Sequence, residues 1–200
     1  MSSIKLIYMM IDEIKTKSLF DSDYFSSKEK ELLNKYKSES SKNEAIASLF
    51  LKKKYVGEYY INEYGKPLSD HIFFNISHSH SFIAIAISDS NIGIDIEKIR
   101  PFSNYLKEYI SSNMEKEYIT DEISFFEIWT NKEAIVKAYG VGVKENVKNI
   151  PSLPLNAIKQ YKEKTFFNKT FILDGYVITV SKEENRDFDI EIIKLDEFDI

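Results

Sequence analysis

Apolar and polar residues follow two different periods along this chain, and each period predicts one type of secondary structure. Short runs in which apolar residues dominate or alternate with polar ones predict strands, and apolar residues three and four positions apart predict helices. The predicted strands cover residues 4–11, 72–76, 81–88, 92–97, 171–180 and 188–193. The predicted helices begin at Ser26–Ser27 and cover residues 43–60, 105–118 and 124–139, the last ending at Gly140.

The order of these elements indicates the fold class. One strand is followed by helices, a group of strands, more helices and more strands, which favours an α+β fold over a doubly wound parallel sheet. A turn near residues 89–91 would divide the chain into two halves, residues 1–91 and 92–200. We find no sequence repeat or low-complexity linker that would prove this division.

Composition excludes several classes of protein. The chain has 200 residues, of which 43% are hydrophobic, so it can bury a substantial core. Its formal net charge is −5, which does not favour a nucleic-acid binder. It has no cysteine, so disulfides and thiolate chemistry are excluded. No apolar run approaches the roughly 20 residues of a membrane span, and we expect a cytoplasmic protein.

The strand at residues 92–97 carries the most informative acidic residues. Strand alternation places its three isoleucines on one face and Gly93, Asp95 and Glu97 on the other. The two carboxylates can converge on one hard cation, and we expect Gly93 to leave space for a ligand. The alternative is a half-exposed edge strand with two solvated acids.

Residues 75–80, Asn-Ile-Ser-His-Ser-His, are expected to form a polar loop before the next strand. Ser77 offers a phosphate contact, and His78 and His80 form an H-x-H pair that can bind metal when both rings face the same way. Ordinary polar turn residues are the alternative.

The predicted helix at residues 124–139 contains Glu133 and Lys137 four positions apart, so both side chains lie on one face. An ordinary surface ion pair is the simplest interpretation of this pair alone. Trp129, one turn earlier, is more typical of a core position than of a cofactor platform. Lys52–Lys54 is most simply a solvated basic face.

Taken in order, four motifs resemble a known family. They are Gly65-Lys66-Pro67, Asn75-Ile76-Ser77-His78-Ser79, Gly93-Ile94-Asp95-Ile96-Glu97 and the W-x-x-K-E-A-x-x-K segment from Trp129 to Lys137. Together they resemble the 4′-phosphopantetheinyl transferases, most closely the surfactin-synthetase-activating (Sfp-type) branch. That resemblance implies two similar α+β halves in one chain, with the active site between them.

The resemblance also implies an activity. These enzymes move the phosphopantetheine arm of coenzyme A onto a serine of an apo acyl or peptidyl carrier protein and release adenosine 3′,5′-bisphosphate. A single chain with both halves is expected to act as a monomer. A coenzyme A- or carrier-binding module without turnover, and a metal-dependent phosphoesterase using His78, His80, Asp95 and Glu97, remain alternatives.

The resemblance further assigns roles to individual residues. Asp95, Glu97 and Glu133 would hold Mg²⁺, with Mn²⁺ as an alternative metal. Glu133 would act as general base and Lys137 would stabilise the α-phosphate. The positions that match coenzyme A contacts are Lys28, Tyr64, Gly65, Lys66, Ser77, His78 and Lys137.

The chain departs from the family pattern where an arginine often binds the 3′-phosphate. The matching stretch is Ser41-Lys42-Asn43-Glu44, in which Lys42 could substitute as a point charge while Glu44 would repel a phosphate. Carrier docking is expected to use residues 101–118 and the helix near Lys132.

Overall fold

The computed structural model describes residues 3–140 and 146–198, and it confirms the α+β class. Within these residues the helices are α1 (Glu13–Asp21), α2 (Ser27–Leu33), α3 (Glu39–Tyr55), α4 (Asn104–Ile110), α5 (Asn113–Tyr118) and α6 (Glu122–Tyr139). The strands are β1 (Ser3–Met10), β2 (Tyr60–Ile61), β3 (Pro67–Leu68), β4 (Phe73–Ser79), β5 (Phe82–Ser88), β6 (Ile92–Lys98), β7 (Ile158–Tyr161), β8 (Lys164–Leu173), β9 (Tyr176–Lys182) and β10 (Asp189–Leu195).

Two four-stranded sheets form the centre of the molecule. The first has the order β10-β1-β5-β4, and the second has the order β6-β9-β8-β7. All neighbouring pairs in these sheets are antiparallel except β1 and β10, which run parallel. The last strand therefore crosses back to the sheet that contains the first.

Alternation along the strands separates three apolar clusters. Tyr8 and Phe82 of the first sheet pack with Ile94 and Ile178 of the second, so the two sheets share one core. The opposite face of the first sheet packs against α1–α3 through residues such as Ile83 and Phe50. Helix α6 covers the opposite face of the second sheet, so helices enclose the paired sheets on both sides.

Local capping signals fix the ends of several helices. Ser26 is the N-cap of α2, which confirms the predicted helix start, and it also forms a reciprocal capping box with Glu29. Gly140 ends α6 with a left-handed backbone (φ 94°), also as predicted. The single helix expected at residues 105–118 is wrong, because Ser111 is extended and Ser112 begins α5 with its own capping box.

Two further predictions about strands are wrong. Residues 171–180 form a hairpin rather than one strand, since Asp174 and Gly175 both have positive φ and turn the chain between β8 and β9. The polar loop expected at residues 75–80 is instead β4 as far as Ser79, because this segment pairs with β5 along its whole length. Its polar residues therefore project from a rigid strand.

The periodicity did not identify α1 or β7, and it placed the start of α3 four residues late. Among the described residues, no helix is long and apolar enough to cross a membrane.

Candidate functional site

The candidate site lies where β6 passes under α6, and Gly93 allows this close approach. A Cβ atom built on Gly93 would lie 2.1 Å from the carbonyl oxygen of Ala134 and 2.4 Å from the amide nitrogen of Ala138. The space beside Gly93 is therefore filled by helix backbone and not by a ligand, which corrects the sequence prediction. The glycine brings the acidic face of β6 directly against the helix that carries Glu133 and Lys137.

Strand β4 supplies the second wall of the site. Asn75, Ser77 and Ser79 are buried on one face of this strand and project toward β6. The Asn75 side-chain oxygen accepts a hydrogen bond from the amide of Ile94 at 2.9 Å, and the Ser79 hydroxyl accepts one from the amide of Lys98 at 3.2 Å. These side chains join two strands that belong to different sheets.

Asp95 and Lys137 form the central pair of the site. The Lys137 ammonium donates to the Asp95 carboxylate at 2.6 Å and to the Ser77 hydroxyl at 3.1 Å. The second carboxylate oxygen, Oδ2 of Asp95, is buried and has no hydrogen-bond partner among the described residues. Burial raises the pKa of Asp95 despite the opposing effect of Lys137. The carboxylate thus retains an unsatisfied oxygen inside the site.

Glu133 and Glu97 complete an acidic group around Asp95. Burial raises the pKa of Glu133, and the charges of Asp95 and Glu97 raise it further while Lys137 opposes them. Glu97 accepts hydrogen bonds from Ser79 at 3.3 Å and from Arg100 at 2.9 Å. Three carboxylates that repel one another favour a proton or a cation between them.

A cavity of about 250 Å³ opens beside this group. The turn at residues 64–67 lines one side, and Asn75, Glu133 and Lys137 line another. The predicted site residues Tyr64, Gly65 and Lys66 are therefore brought to the same cavity as the predicted catalytic pair. A larger open groove of about 770 Å³, between α2 and α3, contains none of the residues predicted to be catalytic.

Lys66 joins the turn to the end of α6. Its ammonium donates to the Lys137 carbonyl at 2.6 Å, and its side chain packs against Gly140. The Lys137 carbonyl lies in the last turn of the helix, where carbonyls lack intrahelical partners, so Lys66 caps α6. Burial, together with the nearby charge of Lys164, lowers the pKa of Lys66 to about 8.

The remaining predicted residues lie apart from this cavity. Lys28 is exposed on α2, and the Lys42 ammonium donates to Asn34 at 2.9 Å while lying over the Phe20 ring. His78 Nδ1 lies 3.6 Å from a carboxylate oxygen of Glu44.

The predicted H-x-H pair has separate surroundings in the structure. His80 sits at a positive φ of 54° in the turn after β4, and its Nδ1 lies 3.3 Å from the Ser79 hydroxyl, whereas His78 faces Glu44. In residues 3–140 and 146–198, no three His, Asp or Glu side chains are grouped closely enough to hold a metal ion in this conformation. The two histidines of the H-x-H pair thus contact different neighbours in this structure.

The sequence interpretation missed several contributors. Asn75 and Ser79 are predicted to lie in a polar loop, although their spacing with Ser77 is that of one strand face. The sequence analysis assigns no role to Arg100, whose guanidinium donates to Glu97. The helix near Lys132 is expected to help dock a partner, although the Lys132 side chain itself is fully buried.

Part of this site lies in a segment that is similar to a known family. The model of the 4′-phosphopantetheinyl transferase superfamily matches residues 91–185, which include β6 and α6. The chain is 44% identical over 91 residues to the 4′-phosphopantetheinyl transferase gsp of Aneurinibacillus migulanus, covering 41% of this chain and 38% of that protein.

Two further relatives match a similar part of the chain. It is 35% identical over 106 residues to the 4′-phosphopantetheinyl transferase Sfp of Bacillus subtilis, covering 48% of this chain and 43% of the relative. It is 38% identical over 104 residues to the 4′-phosphopantetheinyl transferase AcpT of Salmonella typhimurium, covering 46% and 54%. The matches thus span about half the length of these relatives or less.

Proposed function

Because residues 91–185 match the model of the 4′-phosphopantetheinyl transferase superfamily, we propose that this protein transfers phosphopantetheine from coenzyme A to a carrier-protein serine. The observation that carries the proposal is the meeting of Asp95, Glu97, Glu133 and Lys137 where β6 crosses α6. These four residues come from the motifs that resemble the family. The second product would be adenosine 3′,5′-bisphosphate.

The chain supplies a base and a cation for this reaction. The carrier serine hydroxyl would lose its proton to Glu133, directly or through a water, as its oxygen bonds to the phosphorus that bears pantetheine. The pyrophosphate P–O bond would break, and negative charge would develop on the leaving α-phosphate. Lys137 would stabilise that charge after its ammonium shifts from Asp95 to phosphate. The raised pKa of Glu133 suits a group that must accept a proton.

The residues also suit a hard divalent cation. Asp95 Oδ2 is a buried oxygen without a hydrogen-bond partner in the described part of the chain, and burial and mutual repulsion raise the pKa values of Asp95 and Glu133. Carboxylate oxygens are the ligands that Mg²⁺ prefers, and Mn²⁺ accepts the same type of site. Among the described residues these three side chains are not grouped closely enough to hold a metal ion in the conformation seen here, so they would have to converge when it binds. We therefore assign Asp95, Glu97 and Glu133 to hold Mg²⁺, which would neutralise charge on the pyrophosphate when bound.

Coenzyme A would enter through the cavity beside residues 64–67. Tyr64, Gly65 and Lys66 line this cavity, and Ser77 reaches it through Lys137. His78, Lys28 and Lys42 remain proposed phosphate contacts. Because His78 lies beside the Glu44 carboxylate, a phosphate that binds His78 would be repelled by Glu44. Selectivity for the 3′-phosphate is therefore expected to be the weakest part of the recognition.

The carrier would dock near α4 and α5. This segment exposes Tyr105 (75%), Tyr109 (55%) and Met114 (74%), which offer apolar contacts to a partner. Lys132 is buried and is not part of this surface. We propose that the two halves, residues 1–91 and 92–200, act together as one monomer in the cytoplasm.

The test is intact mass spectrometry of an apo-acyl carrier protein and an apo-peptidyl carrier protein. Each is incubated with this protein, coenzyme A and Mg²⁺, with and without a chelator. The proposal expects each accepted carrier to gain the mass of one phosphopantetheine only when metal is present. No gain on either carrier, with intact coenzyme A binding, would favour the binding-module alternative.

Glu133→Gln tests the assigned base. Gln keeps the shape of Glu133 but cannot accept the serine proton, so turnover should fall by about 10²-fold or more while coenzyme A binding persists. The matched control is Glu122→Gln, the same change at an exposed position in the first turn of the same helix. Unchanged transfer by Glu133→Gln would refute the assigned role.

A further inference from the structure

Lys132 precedes Glu133 in sequence but lies in entirely different surroundings. Its side chain has no exposed surface, and its ammonium donates to the Glu115 carboxylate at 2.9 Å and to the Val147 carbonyl at 3.0 Å. Glu115 belongs to α5, and Val147 lies beyond residues 141–145. One ammonium therefore connects α6 to two other parts of the chain.

Glu115 is also held in place by several hydrogen bonds at this connection. Its carboxylate accepts a hydrogen bond from the Ser112 amide at 2.7 Å, which is half of the α5 capping box, and another from the Ser152 hydroxyl. Both carboxylate oxygens are thus bonded, and the side chain is only 6% exposed. A buried ion pair with satisfied partners is costly to break by removing one member.

The two residues before Lys132 are held in the same way by the second sheet. The Thr130 hydroxyl lies 2.8 Å from that of Thr179 on β9. The Asn131 amide nitrogen donates to the Thr170 hydroxyl at 2.7 Å. Polar side chains from one turn of α6 therefore contact β8, β9, α5 and Val147. This arrangement resists rotation of the helix about its axis more strongly than apolar packing alone, because each hydrogen bond has a preferred direction.

We propose that Lys132 is a positioning residue, whose buried pair with Glu115 fixes the rotation of α6 that aims Glu133 and Lys137 at Asp95. The inference rests on the proposed transferase activity. Lys132 touches none of the proposed reacting groups, so its effect would pass through the helix. A displacement of 1 Å at a catalytic group costs about 10²-fold in rate, so a small rotation would be measurable.

The test removes both charges together. Lys132→Met combined with Glu115→Gln leaves no buried unpaired charge, and Gln keeps the capping box because it can still accept from the Ser112 amide. We expect a folded protein whose kcat falls at least 10-fold while KM for coenzyme A changes less than 2-fold. Lys182→Met is the control: Lys182 is 2% exposed and pairs with Asp89 and Glu184, which both lie outside α6 and α5. Its kcat per folded molecule should equal that of the parent.

Amide hydrogen exchange of residues 133–138 adds a measurement that does not depend on activity. The proposal expects faster exchange there in the double variant than in the parent or in Lys182→Met. Parent-like kcat and exchange in the folded double variant would overturn it. If the double variant does not fold, Lys132→Gln combined with Glu115→Gln replaces it, because this pair also leaves no buried unpaired charge, with the same two readouts and the same criteria. A parent that transfers nothing would instead refute the proposed function, and hydrogen exchange would still decide the role of Lys132.

Discussion

Replacing Gly93 with alanine adds one methyl group at the closest approach between β6 and α6. The new Cβ would lie 2.1 Å from the Ala134 carbonyl oxygen, about 1.3 Å short of the 3.4 Å at which ordinary contact begins. The obstructing atoms are helix backbone, so no side-chain rotation relieves the clash. We expect α6 to move away from β6 by about 1 Å, at a cost of about 1–3 kcal/mol in the free energy of unfolding.

This displacement should reduce activity by a larger factor than the loss of folded protein alone would. Lys137 and Glu133 move with α6, whereas Asp95 stays on β6, so the 2.6 Å contact between Lys137 and Asp95 would lengthen. A shift of about 1 Å at catalytic groups lowers the rate about 10²-fold. The measurement is the initial rate of carrier modification per folded molecule, with folded fraction determined by urea denaturation.

The matched control is Gly57→Ala. Gly57 has a φ of 79° with no atom within 4 Å of an added Cβ, so alanine there strains the backbone without displacing a neighbour. That strain costs about 1–2 kcal/mol, similar to the expected cost at Gly93. A Gly93→Ala protein that is destabilised but transfers at the parent rate would refute the view that close packing of β6 on α6 sets the active geometry.

Three further predictions concern charge, metal and capping. The pKa of Lys66 is lowered to about 8 in the fold, so between that pH and the ordinary 10.5 the unfolded chain binds more protons and stability rises with pH. Thermal denaturation from pH 8 to 10 should show a smaller rise in Lys66→Met, and equal slopes would contradict this explanation. Mg²⁺ at 100 times its dissociation constant should stabilise the parent by about 2.7 kcal/mol. Thermal denaturation should show that Asp95→Asn loses this stabilisation, and an equal shift in the variant would show that Asp95 does not bind the metal. Ser26→Ala should lower the free energy of unfolding by about 1 kcal/mol in urea, since it removes one half of the α2 capping box, and an unchanged midpoint would show that the cap contributes nothing.

Much of the local structure follows from short-range sequence signals. Alternation over residues 92–97 correctly assigns Ile92, Ile94 and Ile96 to the core face of β6. The Ser26 cap and the Gly140 end of α6 are also readable locally, because a cap involves residues only a few positions apart. The missed Asp174–Gly175 turn was equally local, since Asp-Gly between two apolar runs is a strong hairpin signal.

The sequence by itself determined the fold class, the acidic face of β6 and the shared face of Glu133 and Lys137. Tertiary structure decided that Gly93 admits a helix rather than a ligand, that Ser77 meets Lys137 and Asp95, and that Lys66 caps α6. It also decided that Lys132 is buried while Glu133, the next residue, lines the cavity. The physical reason is that periodicity defines which side chains share a face, whereas the partner of that face depends on contacts between residues far apart in the chain.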